Sequence, residues 1–145
     1  MSPGIKVIYN FFNLHKNIYN ICKKLKFYNL DDFNNNFNEQ HNWPGQRTEN
    51  LKRSNYTLYT HIISFLNLNN ISTEHYKNID AYCHIRLTED NEKDWIHEDP
   101  CDTALIYLSP TNIESGTSFF ADDKQTEISS VRFIQNTCIF FNQGL

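Results

Sequence analysis

Residues 104–142 read ALIYLSPTNIESGTSFFADDKQTEISSVRFIQNTCIFFN, and this stretch decides the fold class. Its β-branched and aromatic residues fall into short runs at 104–109, 117–121, 128–135 and 138–142. Polar turns such as Asp122-Asp123-Lys124 separate them. Runs of that length, alternating or clustering and bounded by turn residues, predict half-buried strands rather than helices. Two more runs, at 81–87 and 94–98, precede them. With no helical pattern interrupting the series, the strands are expected to pair antiparallel in two facing sheets.

Before Ile79 the period changes. Residues 5–9 are β-prone; Leu14, Ile18, Ile21, Cys22 and Leu25 then recur at helical spacing behind Asn13, which predicts a helix over 14–26. The Asn-rich stretch 29–42 reads as a long irregular excursion ending in Trp43-Pro44-Gly45-Gln46-Arg47-Thr48, where Pro-Gly marks a turn. Ser54 is positioned to cap a helix over 54–67 that keeps Leu58, Tyr59, Ile62, Ile63 and Leu66 on one side. The expected class is therefore α+β, with 1–70 helical and 79–145 stranded in a single domain spanning 1–145.

Composition bounds the function. A chain of 145 residues that is 39% hydrophobic, with 11 Phe and 8 Tyr, can bury one sizeable core. No apolar run approaches the roughly 18 residues of a membrane span. The net charge of −4, with no basic group larger than Lys23, Lys24 and Lys26, gives nucleic-acid binding no support. Cys22, Cys83, Cys101 and Cys138 show no CxxC spacing, so neither a zinc knuckle nor a redox motif is read, and a reduced, cytoplasmic setting is the expectation.

The residues with the most chemistry are His97 and Asp99. On a strand, positions i and i+2 face the same way, so an imidazole and a carboxylate at that spacing can reach one metal ion while Glu98 points outward. Joined by a second His, such a pair forms the facial triad that holds non-haem Fe(II) with positions left open. The pair is expected to point into a cavity of the sandwich. A hairpin loop at 88–93 would set His84 opposite His97 on the same face, making it a candidate for the same pocket.

Several stretches resemble the Fe(II)- and 2-oxoglutarate-dependent dioxygenases, nearest to the prolyl-hydroxylase-like and phage-type branches. Trp95-Ile96-His97-Glu98-Asp99-Pro100 resembles the family's HxD strand, and Ala104-Leu105-Ile106-Tyr107-Leu108-Ser109 its YLN strand. Glu114 to Phe120 is similar to its GGxTxF segment, with Ser115 in place of the first Gly. Trp43 to Thr48 is similar to a WPGxRT element of phage-type members. The resemblance covers about 43–145 and implies a double-stranded β-helix, or jelly roll, with N-terminal helices. It implies Fe(II) held by His97 and Asp99, 2-oxoglutarate as co-substrate, and a Tyr107 hydroxyl donating to the distal carboxylate of 2-oxoglutarate.

In the family a distal His follows an apolar strand such as 138–141, with an Arg or Lys further on. This chain stops at Leu145, so the third ligand and the last strand or two are expected to be missing and a neighbouring strand to be left with unpaired backbone groups. The reading is thus an Fe(II)- and 2-oxoglutarate-dependent hydroxylase-like protein, C-terminally truncated and possessing only two protein ligands. A jelly-roll binding protein or remnant without turnover is the second reading. A metal-dependent hydrolase using the acidic run at 89–102 is the third.

Overall fold

In the computed structural model, which describes residues 4–87 and 96–143, helices and short strands alternate early, and strands take over from Thr103. In chain order the elements are β1 (Ile5–Ile8), α1 (His15–Cys22), α2 (Leu30–Phe37), β2 (Gln46–Arg47), α3 (Leu51–Ser54), α4 (Tyr56–Leu68), β3 (His84–Ile85), β4 (Thr103–Tyr107), β5 (Asn112–Phe120), β6 (Glu127–Phe133) and β7 (Thr137–Phe141). The chain divides into two units, Met1–Asn20 with Trp95–Leu145, and Ile21–Asp94. Every strand ladder is antiparallel, and no sheet closes into a barrel among the described residues.

The first unit has two sheets. One runs β1-β7-β4, with Val7 and Leu105 both opposite Ile139, and the other is the β5–β6 hairpin, with Thr117 opposite Val131. Alternate residues supply the interior: Ile5 from β1, Tyr107 from β4, Phe119 from β5, Val131 from β6, and Ile139 and Phe141 from β7 form one buried cluster, flanked by Val7, Leu105 and Phe133. Inner faces of both sheets therefore pack together, as the period of two requires. Each fully buried Ile or Phe contributes about 1.5–3 kcal/mol from removal of apolar surface from water.

Two turns show how the sequence shapes this unit. Between β5 and β6, the Asp123 carboxylate accepts hydrogen bonds from the amides of Gln125 and Thr126 and from the Thr126 hydroxyl. Between β6 and β7, Asn136 adopts a left-handed conformation (φ 65°) that Asn tolerates better than most residues. Within β5, a Cβ on Gly116 would lie 2.0 Å from the Val131 carbonyl oxygen, so the hairpin closes only with Gly there.

The second unit carries the helices. α2 starts at Asn29, whose side chain accepts from the Asp32 amide, and Asp31 and Asp32 complement the dipole of its first turn. Its buried residue, Phe33, is surrounded by the rings of Tyr28, Phe37, His41, Trp43 and Tyr82 at centroid distances of 4.9–6.5 Å. Asn50 and Asn55 cap α3 and α4 in succession. Asn50 also accepts from the Ala81 amide and donates to Asp80, pinning the segment before β3.

The expected strands at 104–109, 117–121, 128–135 and 138–142 correspond to β4 through β7, and the helices at 14–26 and 54–67 to α1 and α4. Four features differ. The strand expected at 81–87 is formed only at β3, His84–Ile85, because this segment pairs with the short β2 and not with the later strands. The stretch read as irregular at 29–42 contains α2, because the cap and three apolar residues at helical spacing outweigh the poor helix propensity of its Asn residues. The cap of α4 is Asn55, whereas Ser54 ends α3 and its hydroxyl donates to the Asn50 carbonyl. The strand expected at 94–98 is not formed over 96–98, and its first two residues, like the hairpin loop at 88–93, lie outside the described residues. No described helix is long and apolar enough to cross a membrane.

Candidate functional site

His97 and Asp99 lie on irregular chain that leads into β4. Its far end is anchored where the Asp102 carboxylate accepts a hydrogen bond from the Gln143 amide at 2.7 Å, just beyond β7. His97 Nε2 stands 3.2 Å from Asp99 Oδ1, and Glu98 between them is exposed. Two ligands each about 2.1 Å from one ion span that distance at an angle of about 100°, so this donor pair fits a metal edge. With the imidazole protonated, the same contact is an ion pair.

The pair is open to solvent, His97 at 57% and Asp99 at 28% exposure, where the sequence pattern puts it inside a sandwich cavity. The reason is local: the pair precedes β4 rather than sitting in a ladder, so no sheet among the described residues covers it. No group of three or more His, Cys, Asp and Glu side chains capable of holding a metal occurs among the described residues.

Tyr107, the last residue of β4, is buried in the same unit. Its ring stacks on Phe133 at 4.2 Å and its hydroxyl hydrogen-bonds Thr117 Oγ1. Burial pushes the phenol above its ordinary range, and the Thr117 hydrogen bond opposes that in part. Opposite Tyr107 across the ladder is Thr137, fully buried, with an Oγ1 that makes no hydrogen bond to the described residues. The apolar interior thus contains three hydroxyls, of which only that of Tyr107 is singled out by sequence. Thr117 follows Gly116 within the GGxTxF-like segment, but Ser118 rather than Thr117 falls at its Thr position, so the motif does not single Thr117 out.

His84 belongs to the second unit. Its ladder partner is Arg47 of β2, in place of the His97 register that an 88–93 loop implied. Its ring meets Trp43 edge-on at 5.6 Å, and its Nε2 contacts the Pro44 carbonyl. The WPGQRT stretch builds this corner. Gly45 turns at φ +80°, and a Cβ there would lie 2.2 Å from the Ile85 carbonyl oxygen. The Arg47 guanidinium stacks between Trp43 at 4.6 Å and Tyr82 at 5.0 Å, and Thr48 exchanges two backbone-anchored bonds with Cys83. A hollow of about 560 Å³ in this unit is lined by Asn34, Asn38, Glu39 and His41 among others, none of which the sequence singled out.

The structure therefore brings His97 to Asp99 and joins Tyr107 to Thr117, while His84 takes its partners from the WPG corner. No family model, curated protein or solved structure matches the chain.

Proposed function

We propose that the chain is an Fe(II)- and 2-oxoglutarate-dependent oxygenase-like protein whose β4–β7 region, with β1, is part of a jelly roll. The observation that carries the reading is the 3.2 Å approach of His97 Nε2 to Asp99 Oδ1, immediately ahead of the strand that bears Tyr107. The two-layer antiparallel interior, alternating in and out along each strand, supports the finer fold. Bound iron and 2-oxoglutarate would supply the oxidising chemistry of a hydroxylation.

The chain's own residues have simpler tasks. Asp99 supplies a negative charge and His97 a neutral nitrogen donor, so metal binding requires His97 to be deprotonated and weakens as pH falls. The Tyr107 hydroxyl, held by Thr117 among apolar side chains, is a fixed donor for a carboxylate.

A second reading, a jelly-roll binding protein without turnover, is favoured by the openness of the pair: two protein ligands on a solvent-exposed segment hold an ion weakly. Anaerobic titration of the full chain with Fe(II) or Co(II), followed by 2-oxoglutarate decarboxylation in air, tests both. Metal binding and turnover that are both lost in His97→Ala and Asp99→Ala support the oxygenase. Binding lost in these variants, without turnover in the parent chain, supports the second reading. Metal affinity unchanged in both variants overturns the site.

A further inference from the structure

His97 and Asp99 supply half of a closed metal site. Their donor atoms, Nε2 and Oδ1, stand 3.2 Å apart, one edge of a coordination shell, and among the described residues no group of three or more metal-binding side chains includes them. The side chain of His97 is 57% exposed and that of Asp99 28%, so another macromolecule can reach the pair. The chain that follows is held in place. The Thr103 hydroxyl donates to the Cys101 carbonyl at 3.1 Å, and the Asp102 carboxylate accepts from the Gln143 amide at 2.7 Å.

We propose that one divalent ion with a preference for four ligands, such as Zn(II), is shared by two copies of the chain, each contributing His97 Nε2 and Asp99 Oδ1. The proposal rests on the reading of this pair as a metal edge and names what completes it, a second copy of the same edge.

Geometry and charge carry the inference. Donors 3.2 Å apart, each about 2.1 Å from an ion, subtend about 100° there, close to the tetrahedral angle, so two such edges facing each other across a twofold axis fill a four-ligand shell. Because the two edges are identical, the contact is self-complementary, as a twofold interface requires. Each Asp99 brings one negative charge and each neutral His97 none, so two pairs neutralise a divalent ion that one pair leaves half compensated. The shared ion also offsets the repulsion between two chains that each carry a net charge of −4. Ile96, next to the pair in sequence, is 41% exposed and provides apolar surface for a second copy to cover. Cys101 is exposed and lies two residues beyond Asp99, so it is removed from the test both as a competing ligand and as a source of disulfide dimers.

The test adds Zn(II) to the full chain carrying Cys101→Ser and reads its mass by sedimentation equilibrium, with Co(II) replacing Zn(II) for absorption spectroscopy. The expected result is a doubling of mass complete at half an equivalent of Zn(II), return to monomer with EDTA, and four-coordinate Co(II) bands that plateau at the same half equivalent. His97→Gln and Asp99→Asn, both on exposed chain, should keep the circular dichroism of the parent and lose both the doubling and the plateau. An ion bound one to one by a chain that stays monomeric, and lost in His97→Gln, overturns the shared site while leaving the metal edge standing. Zn(II)-driven doubling that persists in both variants overturns the proposal, as does a dimer that forms without Zn(II) and survives EDTA. Absence of any His97-dependent metal binding overturns the proposal and the metal edge together.

Discussion

Asn136 is a polar side chain made indispensable by its position. It is 3% exposed, its Oδ1 accepts from the Phe12 amide and its Nδ2 donates to the Phe12 carbonyl, both at 2.8 Å, while its own carbonyl accepts from Phe11. Asn136→Ala removes both side-chain bonds, strands two buried backbone groups, and places Ala at positive φ. A loss of about 2–4 kcal/mol is expected, read as a lower urea midpoint at unchanged slope. Asn36→Ala, which removes an exposed bond on α2, should cost under about 1 kcal/mol. The Tyr107–Thr117 pair yields a sharper test. Thr117→Val leaves a buried phenol unpaired and should cost about 1–3 kcal/mol, whereas adding Tyr107→Phe to it should restore part of that loss, because both polar partners are then gone. Additive costs in the double variant would show that the hydroxyls do not pair.

Among the elements, β7 is the best supported. It is flanked by β1 and β4, and Thr137, Cys138, Ile139 and Phe141 are all nearly inaccessible. Its amides are therefore expected to exchange with deuterium most slowly of all, with those of the two-stranded β5–β6 hairpin faster, as measured by native-state exchange. Faster exchange in β7 than in β5 would contradict the pairing. The strand itself was legible, since Cys138 to Phe141 is an unbroken apolar run; β1 was legible as the β-prone run at 5–9, but its pairing with β7 was not, because a four-residue strand at the far end of the chain carries no signal of what it pairs with. The pattern of β4, β5 and β6 was readable for the same reason their core is: inward residues recur every second position. α2 was hidden by its Asn content, although Asn29 followed by Asp31 and Asp32 was a readable start. At the candidate site, the spacing of His97 and Asp99 was visible, but their exposure depends on where the ladder of β4 begins.

For the molecule as a whole, the buried acids set the alkaline limit. Cys138, raised from 9.0 to about 12, and Tyr107, raised from 10.0, both keep their protons longer folded than unfolded. The contribution of Cys138 is fully present below pH 9 and is lost as the pH climbs toward 12, at up to about 1.4 kcal/mol per pH unit, and that of Tyr107 is present below pH 10 and is lost as the pH rises through its raised folded value. Urea midpoints should therefore fall across that window, and Cys138→Ala should flatten the early part of the decline; a midpoint independent of pH from 9 to 12 would contradict this. At the acid end, the hydrogen bonds of Thr126 and Gln125 hold the Asp123 carboxyl below its ordinary value, so the β5–β6 turn loosens as pH falls through that range. The sheet order β1-β7-β4 has a temporal meaning as well. Roughly 130 residues separate β1 from β7, and a ribosome adding about 5–20 residues per second takes about 6–26 s to cover that distance. Throughout that interval the nascent β1, with Ile5 and Val7 destined for the core, has no β7 to pair with. The sheet therefore assembles only after translation has reached Phe141, and a ribosome stalled before Thr137 would hold a β1 still open to any chaperone that recognises extended apolar chain.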